Sequence, residues 1–108
     1  MKIAVPTNTY KGLSDTVAYT FSRAPTFTIV TLSDDQVKDV KVIENNAADM
    51  SQGAGPLAAR TLKENGVNLI LSSDIGPGAS NILETIDIKF ERVDPGQMVK
   101  DIIKDWVK

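Results

Sequence analysis

The chain contains no cysteine and no histidine among its 108 residues. Each absence removes a class of chemistry. Without cysteine there is no disulfide, no thiol nucleophile and no thiolate metal site. Without histidine a Ser-His-Asp triad is impossible, and the side chain best suited to proton transfer near neutral pH is missing, as is the commonest nitrogen ligand for transition metals. Long apolar runs are lacking too. The longest, Val67 to Leu71 broken by Asn68, falls far short of the roughly 20 residues that span a bilayer, and no basic segment leads into an apolar one at the N-terminus. Neither sign of charge is in excess. Twelve Lys and Arg against 14 Asp and Glu give a net charge of −2, and the basic residues are scattered, so the electrostatic footprint of a nucleic-acid binder is absent. The expectation is a soluble, cytoplasmic protein with neither nucleic acid nor a membrane as partner.

What is present suits one compact domain: a hydrophobic content of 42% in a chain of this length supports a single core. Lys2-Ile3-Ala4-Val5-Pro6 reads as a first strand. Tyr10 to Ala24 shows no sustained period and reads as a long loop with room for a helical turn. Thr26 to Leu32 and Val37 to Glu44 alternate around the turn Ser33-Asp34-Asp35-Gln36, predicting an antiparallel hairpin with one buried and one polar face. Gly53-Ala54-Gly55-Pro56 opens a helix whose body runs from Leu57 to Asn65, and Asn65-Gly66 stops it. Asn68 to Ser72 reads as a strand buried on both faces.

Ala79, Ile82, Leu83 and Ile86 fall on one face of a second helix. Ile88 to Val93 alternates as a last strand. Asp94-Pro95 reads as the start of a third helix, whose stripe is Val99, Ile102, Ile103 and Trp106. A hairpin followed by strand-helix units predicts a mixed α/β sheet of five strands with about three helices and right-handed crossovers.

The richest stretch for function is Leu69 to Ser80, where an apolar strand runs into Gly76-Pro77-Gly78 and then a helix. Two readings fit. The glycines turn a corner, or they deliver backbone N–H groups and a helix N-terminus to one point, a recipe for holding an anion. The second Gly-rich turn, Gly53 to Pro56, also opens a helix, and the two turns are expected along one side of the sheet. Among acidic residues, Asp34-Asp35 and Asp39 look like a hairpin tip rather than a cation site. The first strand carries no acid, unlike a metal-dependent nuclease.

Phe21-Ser22-Arg23-Ala24-Pro25-Thr26-Phe27, followed by Gly53-Ala54-Gly55, Gly66-Val67 and Gly76-Pro77-Gly78-Ala79, resembles the dinitrogenase iron-molybdenum cofactor biosynthesis family, the NifX-like and NafY-like cofactor carriers. The resemblance covers nearly the whole chain and implies a ribonuclease H-like α/β fold in one domain, residues 1–108. It further implies a non-catalytic carrier of an iron-sulfur or iron-molybdenum cluster, or of its precursor or a related anion, in metallocluster biosynthesis. The candidate ligand-binding residues are Arg23, Gly53, Gly55, Gly76, Gly78 and Ala79 on the motifs that carry the resemblance, together with Asp74 beside the second turn. Two readings stay open for each charged residue. Arg23 is a counter-charge to an anion at the Gly76 turn if its loop folds back over the sheet edge, or it only satisfies backbone carbonyls in its own loop. Asp74 stands beside the ligand, where its charge would repel an anion, or acts as an internal helix cap.

The chain departs from the family pattern. Ser22 stands where Gly is common, Thr26 where an aromatic is common, Asp87 where Gly ends a helix, and a His often found near Thr20 is missing. An iron-sulfur cluster normally needs thiolate or imidazole. Met1, Met50 and Met98 are weak thioethers, and carboxylates such as Asp49 or Asp74 match a soft cluster poorly. The alternative is therefore a protein-interaction or regulatory module of the same fold that has lost cluster binding, with a cluster-assembly or electron-transfer protein as partner.

Overall fold

A computed structural model describes residues 1–107. Five strands, β1 (Lys2–Thr7), β2 (Thr26–Ser33), β3 (Gln36–Glu44), β4 (Leu69–Ser72) and β5 (Lys89–Arg92), form one sheet in the order β3-β2-β1-β4-β5. β1, β2 and β3 are antiparallel neighbours, whereas β4 runs parallel to both β1 and β5. The parallel strands are joined by helices α1 (Ala54–Glu64) and α2 (Pro77–Thr85), and α3 (Val99–Ile103) follows β5. Hairpin, crossover units and helix count match the architecture read from the sequence.

The period-2 geometry of strands divides the core between the two sheet faces. Ala4, Phe27, Ile29 and Ile70 face α1 and α2, joining Ala58, Leu62, Ala79 and Leu83. Ile3, Val5, Val30, Leu32, Leu69 and Leu71 face the other way and are covered by Val17, Val99, Ile102 and Ile103. Trp106 and Val107 pack on that second cluster, which docks the segment after α3.

Two expectations about burial are corrected. β2 is buried on both faces, while β3 contains no buried residue, because β3 lies at the sheet edge and β2 does not. β5, whose alternation suggested a half-buried strand, is exposed throughout as the opposite edge.

A third correction concerns Asp94-Pro95. The helix begins later, at Val99 after Met98, and Pro95-Gly96 is a turn in which Gly96 takes φ +83°. That turn is held by sheet-like contacts to the long loop: Gly96 N–H donates to Val17 O at 2.9 Å, and Val17 N–H to Gln97 O at 2.9 Å. Tertiary pairing overrides the local cap signal here.

Both crossover helices end in the same way. After α1, Val67 N–H bonds Leu62 O at 3.1 Å and Gly66 N–H bonds Lys63 O at 3.0 Å, with Gly66 at φ +78°. After α2, Ile88 bonds Leu83 O at 3.0 Å and Asp87 bonds Glu84 O at 3.4 Å, with Asp87 at φ +62°. Both are Schellman motifs, and the second places a non-glycine residue in the left-handed position.

Candidate functional site

The end of β4 delivers the chain into a tightly held turn. Ser72 Oγ donates to the carbonyl of Asp74 at 2.6 Å, and Arg92 Nε donates to the carbonyl of Ser73 at 3.2 Å. Ser73, itself buried, donates its hydroxyl to the carbonyls of Ala18 and Tyr19 at 3.1 and 2.6 Å. The long loop after β1 is thereby pinned against the end of β4. Tyr19 stands on it with its side chain in solvent, 77% exposed.

Gly76 then adopts φ 74° and ψ 154°, a conformation essentially reserved for glycine. A Cβ added there would meet nothing within 4 Å, so this backbone faces open space. No side chain caps α2, and none caps α1. The two helix starts lie side by side. A Cβ on Gly55 would sit 3.2 Å from Ala79 Cβ, and one on Gly78 would lie 4.0 Å from Pro56 Cδ. The positive ends of two helix dipoles thus converge on one surface, with the Met50 methyl 3.9 Å from where a Cβ of Gly53 would be.

The residues picked out in the sequence divide between this surface and another place. Gly53, Gly55, Gly76, Gly78 and Ala79 belong to the paired helix starts. Asp74 is exposed beside them, and its side chain is not the cap of α2. Arg23 points elsewhere: its guanidinium donates to the carbonyls of Ala48, at 3.3 Å, and Met50. Instead of covering the Gly76 turn, it lines a cleft of about 480 Å³ with Tyr10, Pro25, Glu44, Asn45 and Asp49. Tyr10 donates its hydroxyl to Glu44 at 3.0 Å, and that hydrogen bond first, then burial and the carboxylate charge, raises its pKa above 10.0.

Several organising residues escaped the sequence reading. Asp15, 3% exposed, gathers the loop after β1: one carboxylate oxygen accepts from Thr9 N–H at 3.0 Å, Thr9 Oγ1 at 2.7 Å and Lys11 N–H at 3.3 Å, the other from Thr16 N–H at 2.8 Å. Burial works against its ionised form, but these donors outweigh it and hold its pKa below 3.8. Asn45 performs the same office in the next loop, donating to Ser22 O and Ala24 O at 2.9 Å each and accepting from Ala47 N–H at 3.0 Å. The available signal was an Asx residue within a polar loop, a local hydrogen-bonding motif whose partners the sequence leaves open.

The family profile described as dinitrogenase iron-molybdenum cofactor matches residues 1–108. The chain belongs to that family. An uncharacterized protein of Methanocaldococcus jannaschii is 31% identical over 88 residues, 82% of this chain and 70% of its own length. Among solved structures, the apo form of the orange protein from Desulfovibrio gigas superposes with a TM-score of 0.86 at 29% identity, covering 95% of this chain and 83% of that one. A Thermotoga protein of the DUF35 family gives 0.78 at 31% identity, with 95% and 84% covered.

The iron-sulfur or iron-molybdenum cluster that family membership suggests does not fit these residues. The chain has no cysteine and no histidine, and among the described residues no group of three or more His, Cys, Asp or Glu could hold a metal ion. The expectation of an iron-sulfur or iron-molybdenum cluster as cofactor is thereby corrected: a cluster held by protein normally draws on thiolate or imidazole, and this chain has neither. Among the described residues no helix is long and apolar enough to cross a membrane.

Proposed function

We propose that this member of the dinitrogenase iron-molybdenum cofactor family is a non-catalytic protein-interaction module that binds its partner through Tyr19 and the adjoining starts of α1 and α2. The partner class is a cluster-assembly or electron-transfer protein. The observation that carries the reading is Tyr19: a large ring 77% exposed on a backbone whose carbonyls at 18 and 19 are both clamped by the buried Ser73 hydroxyl. An aromatic side chain presented on a pre-ordered loop loses little entropy on docking, and tyrosine is among the residues enriched at binding hot spots.

Gly53, Gly55, Gly76, Gly78 and Ala79 at the helix starts supply the polar half of the contact. Uncapped helix N-termini favour negative charge, so the partner groups best suited to them are carboxylates. Asp74, exposed at the same turn, sets a counterweight that disfavours a highly charged free anion and leaves room for a single acidic side chain.

The test is recovery of the partner from native lysate with wild-type protein and with Tyr19→Ala. The wild type is expected to bring down one protein in stoichiometric amount, and Tyr19→Ala to lose it while keeping its circular dichroism and melting temperature. Recovery of no stoichiometric protein, or equal recovery by the folded variant, would refute the reading.

A further inference from the structure

The sheet ends on β5, which pairs with β4 alone, so its outer edge is open. All of Lys89, Phe90, Glu91 and Arg92 are exposed, and Phe90 is a large apolar side chain left 36% exposed. The direction of each backbone group follows from two bonds. Lys89 N–H donates inward to Asn68 O at 3.0 Å, and Val93 N–H to Ser72 O at 2.9 Å. By alternation, the N–H and C=O of Phe90, the N–H of Arg92 and the C=O of Ile88 point outward. The N–H of Ile88 is spent on Leu83 O at 3.0 Å, within the Schellman motif.

The register also sorts the side chains. Lys89 and Glu91 are level with Leu69 and Leu71 and share the α3 side of the sheet, whereas Phe90 is level with Ile70 on the α1 and α2 side. Among the described residues neither Lys89 nor Glu91 forms an ion pair.

We propose that β5 is a docking edge for a second copy of this chain, paired antiparallel about a two-fold axis through Phe90. In that register Phe90 and its copy exchange both backbone hydrogen bonds, and the N–H of Arg92 meets the free carbonyl of Ile88 in the second copy. Lys89 falls opposite Glu91 of the second copy, and Glu91 opposite its Lys89, forming reciprocal pairs on one face while the Phe90 rings meet on the other. Charge selects this register. An axis through Lys89 or Glu91 would set like charges against each other, and an axis between Phe90 and Glu91 would oppose an outward-pointing residue to an inward-pointing one and bring Lys89 against Arg92.

The opposite edge is built differently. β3 breaks register between Thr31 and Leu32, where Lys38 is the extra residue, and an edge bulge carrying lysine is a device against strand addition. The pairing of β5 has no such irregularity.

Sedimentation velocity over a concentration series tests the proposal. The wild type is expected to shift with concentration from 11.7 kDa toward twice that mass, Lys89→Glu to weaken association by at least about tenfold through facing like charges, and the Lys89→Glu/Glu91→Lys double variant to restore it. A wild type that stays monomeric, a Lys89→Glu protein that associates like the wild type, or a folded double variant that stays weak would each overturn the assignment. Because the native chain has no cysteine, Phe90→Cys gives a second readout: under mild oxidation it should form a disulfide-linked dimer faster than Val40→Cys on β3, and the reverse order would overturn the proposal.

Discussion

Replacing Asp15 by Asn should both weaken the fold and change how its stability depends on pH. The carboxylate accepts bonds from Thr9, Lys11 and Thr16 between 2.7 and 3.3 Å at a site 3% exposed. Hydrogen bonds to a charged group contribute about 1.5–3 kcal/mol each, but bonds sharing one acceptor do not add. Asn keeps one acceptor oxygen and turns an NH₂ toward donors, so the expected loss is about 2–3 kcal/mol at pH 7. The folded-state pKa of Asp15 lies below its ordinary 3.8. Its contribution is therefore complete above 3.8 and is lost as pH falls through the lower folded value. Urea unfolding of both proteins at pH 7, 5, 4 and 2.5 should show a constant gap down to about pH 4 that narrows below it. A gap under about 0.5 kcal/mol at pH 7, or one that widens on acidification, would refute the assignment of Asp15 as the ionised organiser of the loop that presents Tyr19.

Other perturbations probe the helix starts and their supports. Gly55→Val forces a branched side chain against Ala79, where a Cβ alone would be 3.2 Å away, and should cost about 1–3 kcal/mol by thermal unfolding. Gly78→Ala meets only an ordinary contact at 4.0 Å and should be neutral to stabilising by up to about 1 kcal/mol in the same assay. Asp87→Gly relieves the left-handed residue at φ +62° and should add about 0.5–1 kcal/mol, read as a higher urea midpoint with unchanged slope. Ser73→Ala removes the clamp on the carbonyls of Ala18 and Tyr19; it should cost about 1 kcal/mol and quicken hydrogen exchange in the loop around Tyr19 more than in β1.

The parts of the fold legible in the sequence were those set by local chemistry. The Asp34-Asp35 turn, both residues at positive φ, marked the hairpin, Gly66 marked the stop of α1, and the Ala79, Leu83 spacing marked the buried face of α2. What the sequence concealed depends on neighbours. Alternation in β3 and β5 says that one face differs from the other, but only the strand order shows that both strands lie at edges with little burial. Asp94-Pro95 carries a helix-start signal that the long loop outcompetes by pairing with Gly96 and Gln97.

At the site, the two Gly-rich turns were legible as helix openings, but their meeting through Gly55 and Ala79 is a tertiary fact. Arg23 illustrates the limit most plainly. A single cation in a loop can serve any nearby acceptor, and here the carbonyls of Ala48 and Met50 claim it. Ser73 and Tyr19, which carry the proposed contact, had no spacing or composition to announce them, since their significance lies in a hydrogen bond across 54 residues of sequence.

Native mass spectrometry of the protein drawn anaerobically from its own cells addresses the central claim most directly. An interaction module without coordinated cluster predicts a complex of this chain with a partner protein, in which the chain released by collisional activation has the bare polypeptide mass, and no such complex for Tyr19→Ala. A released chain that retains the mass of an iron-containing cluster, in the wild type and in Tyr19→Ala alike, would contradict it.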